Sequence, residues 1–165
     1  MAPGTTPITV GVGDLQISTD VNSVLVTYGL GSCIAVLVWD PLRHAGGMVH
    51  YMLPLSSITP EKARARPAMF ADTGVPLLFE RMLGLGSRKG DLVVKVVGGA
   101  CIQDDNKTFD IGKRNYAALR ELLRGAGVAI KAEAVGGGLS RTCRLFVADG
   151  RATVRASDDF SEVEL

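Results

Sequence analysis

The segment VTYGLGSCIAVLVWD, residues 26–40, contains a glycine-rich break between two stretches of strand-like alternation. Both stretches are rich in β-branched and aromatic residues, which is typical of β-strands. The break at Gly29-Leu30-Gly31-Ser32 predicts a tight turn, because glycine adopts positive φ without steric cost. Cys33 follows this turn directly, so we expect its side chain at a corner rather than in the middle of a packed face. A cysteine that only fills a core does not need this position, whereas a nucleophile does.

Hydrophobic periodicity along the rest of the chain predicts further strands and two helices. The predicted strands span residues 7–12, 15–19, 22–28, 33–39, 47–53, 91–100, 128–135 and 142–148, with a short strand after Gly150. The predicted helices lie near 72–83 and over 111–127. We therefore expect one α+β domain over residues 1–165, a layered sandwich of mainly antiparallel or mixed β-sheet with two packed helices. Residues 1–6 and about 157–165 are expected to be flexible ends.

Composition argues against several classes of partner. The chain has 165 residues, with 18 basic and 17 acidic side chains and a net charge of +1, so nonspecific binding to nucleic acid or to a membrane surface is not expected. Its apolar runs are shorter than the roughly 20 residues of a membrane-spanning helix. Three cysteines without CxxC spacing predict neither a disulfide framework nor a zinc site. We expect a reduced, cytoplasmic protein that needs no cofactor or metal and has no secretion signal.

A histidine follows Cys33 at a spacing that allows the two side chains to meet. Asp40 and Pro41 are the favoured first two residues of a type I turn. If Pro41 and Leu42 form the whole loop of a hairpin, Cys33 lies directly opposite His50, with Cβ atoms roughly 4.5–5.5 Å apart. The register stays open at this point, because a bulge or a slip of one residue would change the partner or the face.

This pairing would bring together a nucleophile and a base. An imidazole beside Cys33 would take its proton and lower the pKa of the thiol. The backbone N–H groups of Gly31 and Ser32 would be free to face an oxyanion. Thr27 would reach the same site if the corner folds back, and its hydroxyl would orient the imidazole. The alternative, a buried structural cysteine and a structural histidine, stays open on these residues alone.

Several motifs closely resemble the CheD family, the chemoreceptor glutamine deamidases of bacterial and archaeal chemotaxis. They are YGLGSCIAVLVWDP with AGGMVHYMLP, then FAD, VKVVGGACI, IGKRNYAALRELL and AVGGGLSR, which together cover about residues 15–155. The resemblance implies a catalytic cysteine at Cys33, a histidine at His50 and a threonine at Thr27. It also implies a layered sandwich fold and a mechanism similar to that of papain-like and toxin-type cysteine hydrolases. The chain departs from the family pattern at Val49 and Ala134, which would affect substrate or partner contacts.

The resemblance implies a cysteine-dependent protein-glutamine deamidase that acts through a thioester on the cytoplasmic helices of chemotaxis receptors. It also implies hydrolysis of receptor methyl-glutamate esters and a CheC-type phosphatase as partner. One alternative is a binding module that regulates a CheC-type CheY-phosphate phosphatase and has little catalysis of its own. A further alternative is a small-molecule amidase.

The other candidate residues have weaker assignments. Cys101 and Cys143 are expected to be structural, and His44 to be solvated. Lys113, Arg114 and Asn115 open the second helix, where cations oppose the helix dipole. A contact with an acidic receptor or partner surface would explain this placement, and simple solvated charges are the alternative.

Overall fold

A computed structural model describes residues 4–102 and 110–165. The strands are β1 (Thr6–Thr9), β2 (Asp14–Ser18), β3 (Ser23–Leu30), β4 (Ile34–Asp40), β5 (Ala45–Tyr51), β6 (Val93–Gly98), β7 (Ala132–Val135), β8 (Arg141–Phe146), β9 (Ala152–Ala156) and β10 (Val163–Glu164). The α-helices are α1 (Pro60–Ala65), α2 (Ala71–Gly84) and α3 (Ile111–Gly125). Short 3₁₀ turns occupy Ser56–Ile58, Pro67–Met69 and Lys89–Asp91.

The strands form two five-stranded sheets. Sheet A has the order β1-β3-β8-β9-β10, and sheet B has the order β2-β5-β4-β6-β7. The pairs β1–β3 and β6–β7 are parallel, and the other pairs are antiparallel. The predicted α+β fold of mainly antiparallel or mixed sheet is therefore confirmed.

Two apolar cores separate three layers. The first lies between the sheets and includes Leu25, Leu37, Met48 and Leu145. The second lies between sheet B and the helices and includes Val36, Val49, Leu78 and Leu119. Successive residues of a strand point to opposite faces, so Val36 and Leu37 enter different cores. Because both faces of β4 and β5 are covered, these strands are almost continuously apolar rather than alternating.

The glycine-rich corner carries the chain from one sheet to the other. β3 ends at Leu30 in sheet A and β4 begins at Ile34 in sheet B. Between Thr27 and Leu30 the register with β8 shifts, and Gly29 adopts a φ of 65°. Gly98 of β6 approaches so closely that a Cβ atom there would lie 2.2 Å from the carbonyl oxygen of Cys33. The corner therefore lies where the chain passes between the two sheets, directly beside the end of β6.

The ends and helices differ in part from the prediction. Residues 1–3 lie outside the described residues, and β1 already begins at Thr6, where a flexible end was expected. At the other end, β10 pairs with β9 and Leu165 packs against the inter-sheet core, so this acidic segment is attached rather than free.

The helices also differ from the prediction. The short helix α1 was not predicted, because its six residues bury no side chain and therefore show no apolar periodicity. No helix in the two described ranges is long and apolar enough to cross a membrane.

Candidate active site

The hairpin of β4 and β5 has a longer loop than predicted. Asp40 pairs with Ala45, so the loop contains the four residues 41–44. His50 consequently lies opposite Ala35, so the two-residue loop that would place it directly opposite Cys33 does not form. Because the shift is two residues, the face is unchanged, and Cys33 packs against the inter-sheet core as Ala35 does. Cys33 and His50 are thus diagonal neighbours on the inner face of sheet B.

The Asp40 carboxylate explains the longer loop. Its Oδ1 accepts hydrogen bonds from the backbone N–H groups of Leu42 at 2.8 Å and Arg43 at 3.1 Å. These bonds stabilise the turn start, as is usual for aspartate at this position. His44 then adopts a φ of 47° and completes the loop. His44 itself is exposed, as predicted, and its Nδ1 lies 2.9 Å from the carbonyl oxygen of Ala148.

Thr27 fixes the protonation of the His50 ring. The Thr27 hydroxyl donates its single proton to the carbonyl oxygen of Val10 at 2.7 Å. It must therefore accept the second hydrogen bond, from Nδ1–H of His50 at 2.8 Å. This assigns the ring proton to Nδ1 and leaves a lone pair on Nε2. This contact agrees with the prediction that Thr27 orients the imidazole of His50. Nothing in the sequence indicated that the Val10 carbonyl would accept the Thr27 proton.

Burial keeps the His50 imidazole neutral. The side chain is 1% exposed. Burial lowers the pKa of His50 to about 4, and the Val10 carbonyl raises it only in part. The buried Nε2 has no hydrogen-bond partner among residues 4–102 and 110–165. A neutral imidazole with an unbonded lone pair has the properties of a general base.

The Cys33 thiol is also neutral in the resting protein. Its side chain is half-buried. Burial raises the pKa of the thiol, and the backbone N–H of Cys33 itself partly lowers it. The expectation that the imidazole lowers this pKa is therefore wrong, because both groups are desolvated and a neutral ring offers no positive charge. Proton transfer from Sγ to Nε2 would have to accompany attack on a substrate rather than precede it.

Cys33 opens into a cavity of about 340 Å³ at the end of the sandwich. The corner lines one side with Gly29, Gly31 and Ser32, and residues 100–102 line another. The third side is the start of α3, from Asp110 to Gly112. The predicted residues Gly31 and Ser32 therefore border the space where a substrate carbonyl would meet Cys33.

The profile of the family described as "CheD chemotactic sensory transduction" matches residues 52–156. A probable chemoreceptor glutamine deamidase CheD 2 of Anaeromyxobacter dehalogenans (strain 2CP-C) is 53% identical over 151 residues, 92% of this chain and 95% of the relative. Its counterpart in Solibacter usitatus (strain Ellin6076) is 49% identical over 144 residues, 87% of this chain and 85% of the relative. The chain belongs to the CheD family. The profile match begins after His50, whereas the alignments with these relatives cover most of this chain.

In this CheD-family chain the three cysteines have different environments. Cys143 is fully buried in the inter-sheet core, as predicted, and burial raises its pKa to about 12. Cys101 was expected to be structural, but its side chain is exposed and lines the same cavity as Cys33. Nothing in the sequence indicated this, because the glycines that precede Cys101 do not determine the direction of the chain after β6.

The three residues at the start of α3 separate into two groups. Lys113 and Arg114 are exposed and directly follow Gly112, which lines the cavity. Asp110 caps the helix by accepting the N–H of Lys113 at 3.0 Å, and its carboxylate lies 3.4 Å from Nζ of Lys113. Asn115 is fully buried, which corrects the prediction that it contacts a substrate or partner. A helix places every third or fourth residue on its packed face, and Asn115 falls on that face together with Gly112 and Leu119.

Val49 is fully buried between sheet B and the helices. It cannot contact a substrate or partner there, so this departure from the family pattern changes packing only. Tyr51, which the sequence analysis missed, lies on the same face and donates a hydrogen bond to the carbonyl oxygen of Asn115 at 2.7 Å. Burial raises the pKa of Tyr51, and the charge of a Cys33 thiolate would raise it further, so the phenol remains a donor.

Proposed function

We propose that this protein is a chemoreceptor glutamine deamidase in which Cys33 is the nucleophile and His50 the base. The observation that supports this best is the Nε2 of His50, which has no hydrogen-bond partner in the part of the chain that the structure describes. Thr27 holds this ring in one tautomer on the inner face that also carries Cys33. A buried acceptor without a partner destabilises a fold. Its presence beside a half-buried thiol and a cavity is therefore better explained by catalysis than by packing.

The reaction would proceed by acyl transfer. Cys33 Sγ attacks the carboxamide carbon of a receptor glutamine while its proton moves to Nε2 of His50. The oxyanion is stabilised by backbone N–H groups at the corner of Gly31, Ser32 and Cys33. His50 then gives the proton to the leaving nitrogen, which departs as ammonia, and a thioester remains on Cys33. Water, deprotonated by His50, hydrolyses the thioester to glutamate and restores the thiol.

The substrates are the cytoplasmic helices of chemotaxis receptors, so the protein would act in the cytoplasm. The related proteins carry chemoreceptor glutamine deamidase in their names. Lys113 and Arg114 are exposed next to the cavity and would contact acidic groups on a receptor or partner. The same thioester chemistry would also hydrolyse receptor methyl-glutamate esters. A CheC-type phosphatase is the proposed regulatory partner.

A protein that only binds such a phosphatase is the second candidate. It needs neither an oriented imidazole nor a thiol that opens into a cavity. The Thr27–His50 contact at 2.8 Å therefore favours the enzyme over the binding module. A small-molecule amidase is also less favoured, because the names of the relatives point to a protein substrate.

The test is mass spectrometry of a receptor cytoplasmic fragment after incubation with the protein. Wild type should convert specific glutamines to glutamates, with the mass increase that replacement of NH₂ by OH produces. Cys33→Ala should abolish conversion and keep the fold, because the corner accepts a small side chain. Cys101→Ala removes a thiol from the same cavity and should retain substantial activity. Conversion by Cys33→Ala would show that the nucleophile is misassigned, and no conversion by wild type would refute the function.

A further inference from the structure

Asn115 joins α3 to both elements that carry the proposed nucleophile and base. Its Nδ2 donates to the carbonyl oxygen of Ser32 at 2.9 Å and to that of Met52 at 3.0 Å. Ser32 directly precedes Cys33, and Met52 follows His50 by two residues. The backbone carbonyl of Asn115 in turn accepts the Tyr51 hydroxyl at 2.7 Å. One buried residue of α3 thus contacts the chain on either side of the site.

The bond to Ser32 controls a peptide group at the site. The carbonyl of Ser32 and the N–H of Cys33 belong to the same planar trans peptide, in which the two groups point in opposite directions. A donor that holds the carbonyl therefore also sets the direction of the N–H. The N–H of Cys33 lies beside its own sulfur, where it lowers the pKa of the thiol. An N–H at this place is well located to meet the oxyanion formed when Sγ attacks a carbonyl.

Each of three successive corner carbonyls is held by one donor. The N–H of Ala100 donates to Gly31 at 2.8 Å, and the N–H of Gly99 donates to Cys33 at 2.8 Å. The central carbonyl, of Ser32, is held by the Asn115 side chain. Two of these donors are backbone groups and the third is a side chain, so the orientation of the Ser32–Cys33 peptide can be tested by substitution.

Stability alone does not account for the amide at position 115. Its Oδ1 is buried and has no hydrogen-bond partner within the described part of the chain. Burial of this acceptor costs free energy, which the two hydrogen bonds from Nδ2 have to offset. The close contact of Gly112 with the carbonyl oxygen of Gly99, where a Cβ atom would lie 2.5 Å away, already fixes the start of α3 against β6.

We propose that Asn115 is a positioning residue that holds the Ser32–Cys33 peptide with its N–H directed at the oxyanion. This inference rests on the proposed acyl-transfer function and adds a residue to it. Asn115 does not contact the substrate. Its loss lets the peptide rotate, so that the transition state loses a donor while the thiol and its base stay in place.

The test compares two reactions of Cys33 in wild type and Asn115→Ala. Acylation by p-nitrophenyl acetate passes through an oxyanion, whereas alkylation by iodoacetamide displaces iodide and forms none. Both need the thiol proton to be removed, so the ratio of their rate constants isolates the oxyanion contribution. We expect Asn115→Ala to slow acylation by at least about tenfold. Complete loss of an oxyanion donor costs about 10²–10³, and the rotated peptide still meets the oxyanion part of the time. Alkylation should change by less than about twofold, and kcat for receptor deamidation should fall with KM unchanged.

Leu119→Ala is the matched control, because Leu119 is fully buried on the same helix and has no polar group that could hold a peptide of the corner. It should lower the melting temperature and leave the ratio of acylation to alkylation unchanged. If Asn115→Ala does not fold, Asn115→Ser gives the same comparison with a smaller cavity. An unchanged ratio in the folded Asn115 variant, or a parallel loss of both reactions, overturns the inference. A wild type that deamidates no receptor refutes the proposed function instead, and the acylation ratio still tests Asn115.

Discussion

The Thr27 hydroxyl of sheet A accepts the Nδ1 proton of His50 in sheet B at 2.8 Å. This single contact crosses the two sheets of the sandwich. It depends on the Val10 carbonyl, which takes the hydroxyl proton at 2.7 Å and so makes Thr27 an acceptor toward the ring. The tautomer of the proposed base is therefore determined by three groups that are far apart in the sequence.

Substitution of Thr27 by valine tests this relationship, since valine has nearly the same shape and lacks the hydroxyl. Thr27→Val should lower kcat for receptor deamidation by about tenfold or more, the equivalent of one lost hydrogen bond. It should also lower the free energy of unfolding by about 1–3 kcal/mol, because it leaves Nδ1–H and the Val10 carbonyl buried without partners. Steady-state kinetics and urea titration measure the two effects. Thr27→Ser keeps the hydroxyl and should stay close to wild type; equal losses in both variants would contradict the orienting role.

The neutral resting state of Cys33 predicts the pH at which its thiolate forms. A thiolate–imidazolium pair would give the ultraviolet absorbance of a thiolate already at acidic pH, with a plateau through neutrality. Burial instead raises the pKa of the thiol and lowers that of His50, so no such plateau should appear. The thiolate absorbance, taken as the difference between wild type and Cys33→Ala, should be negligible at pH 7 and increase only at alkaline pH. A thiolate signal already at pH 6 would show that the ion pair forms before substrate binds.

Removal of the base should slow alkylation of Cys33 by iodoacetamide. His50→Ala should reduce the alkylation rate of Cys33 near neutral pH, because no neighbouring group then accepts the thiol proton. His44→Ala removes the other histidine, which is exposed in the hairpin loop, and should leave the rate unchanged. Mass spectrometry of the alkylated peptide separates Cys33 from Cys101. Equal rates for wild type and His50→Ala would mean that the two side chains are not coupled.

Much of this site follows from the sequence through the two-residue period of β-strands. Cys33 and His50 fall on one face of sheet B for any even shift in register, so the wrong loop length did not separate them. The register itself depended on hydrogen bonds of the Asp40 carboxylate, which a turn motif does not specify. The burial of Asn115 could not be predicted from the sequence for a different reason. Its burial results from packing of α3 against the β6 end, and only the assembled fold shows that contact.

The lowered pKa of His50 also makes a prediction for stability. The unfolded chain binds a proton at His50 with a pKa near 6.5, whereas the folded chain does so at about 4. Between these values the unfolded state binds more protons than the folded state. The free energy of unfolding therefore falls as pH decreases from 6.5 to 4, and the contribution of His50 to it is constant above pH 6.5. The loss amounts to about 3 kcal/mol over the interval. Urea unfolding at pH 7 and pH 4.5 measures it, and His50→Gln should remove a large part of the difference; an identical pH dependence in the variant would contradict the assignment.

The position of the cavity predicts how a phosphatase partner and a receptor affect one another. Lys113 and Arg114 lie within one turn of the residues of α3 that line the cavity with Cys33. A protein bound at either the corner or these two cations would cover the cavity mouth. A CheC-type phosphatase should therefore inhibit deamidation, and the receptor should weaken phosphatase binding by the same factor, as linkage requires.

A phosphatase site remote from the cavity would allow the receptor and the phosphatase to bind at the same time. The groove between the C-terminal half of α3 and residues 128–133 begins about 8 Å and ends about 18 Å along the helix from Gly112, which lines the cavity, at 1.5 Å per residue. A phosphatase bound there would leave Cys33 open, and a ternary complex would form. Titration of a receptor cytoplasmic fragment into the preformed complex distinguishes the two arrangements by analytical ultracentrifugation. Displacement of the phosphatase supports a shared surface. In that case, charge reversal by Lys113→Glu with Arg114→Glu should weaken the binding of both partners. The control Arg120→Glu, in the groove, should weaken the binding of neither. A stable ternary complex with undiminished deamidation would rule out the shared surface, and loss of phosphatase binding in Arg120→Glu would then identify the groove.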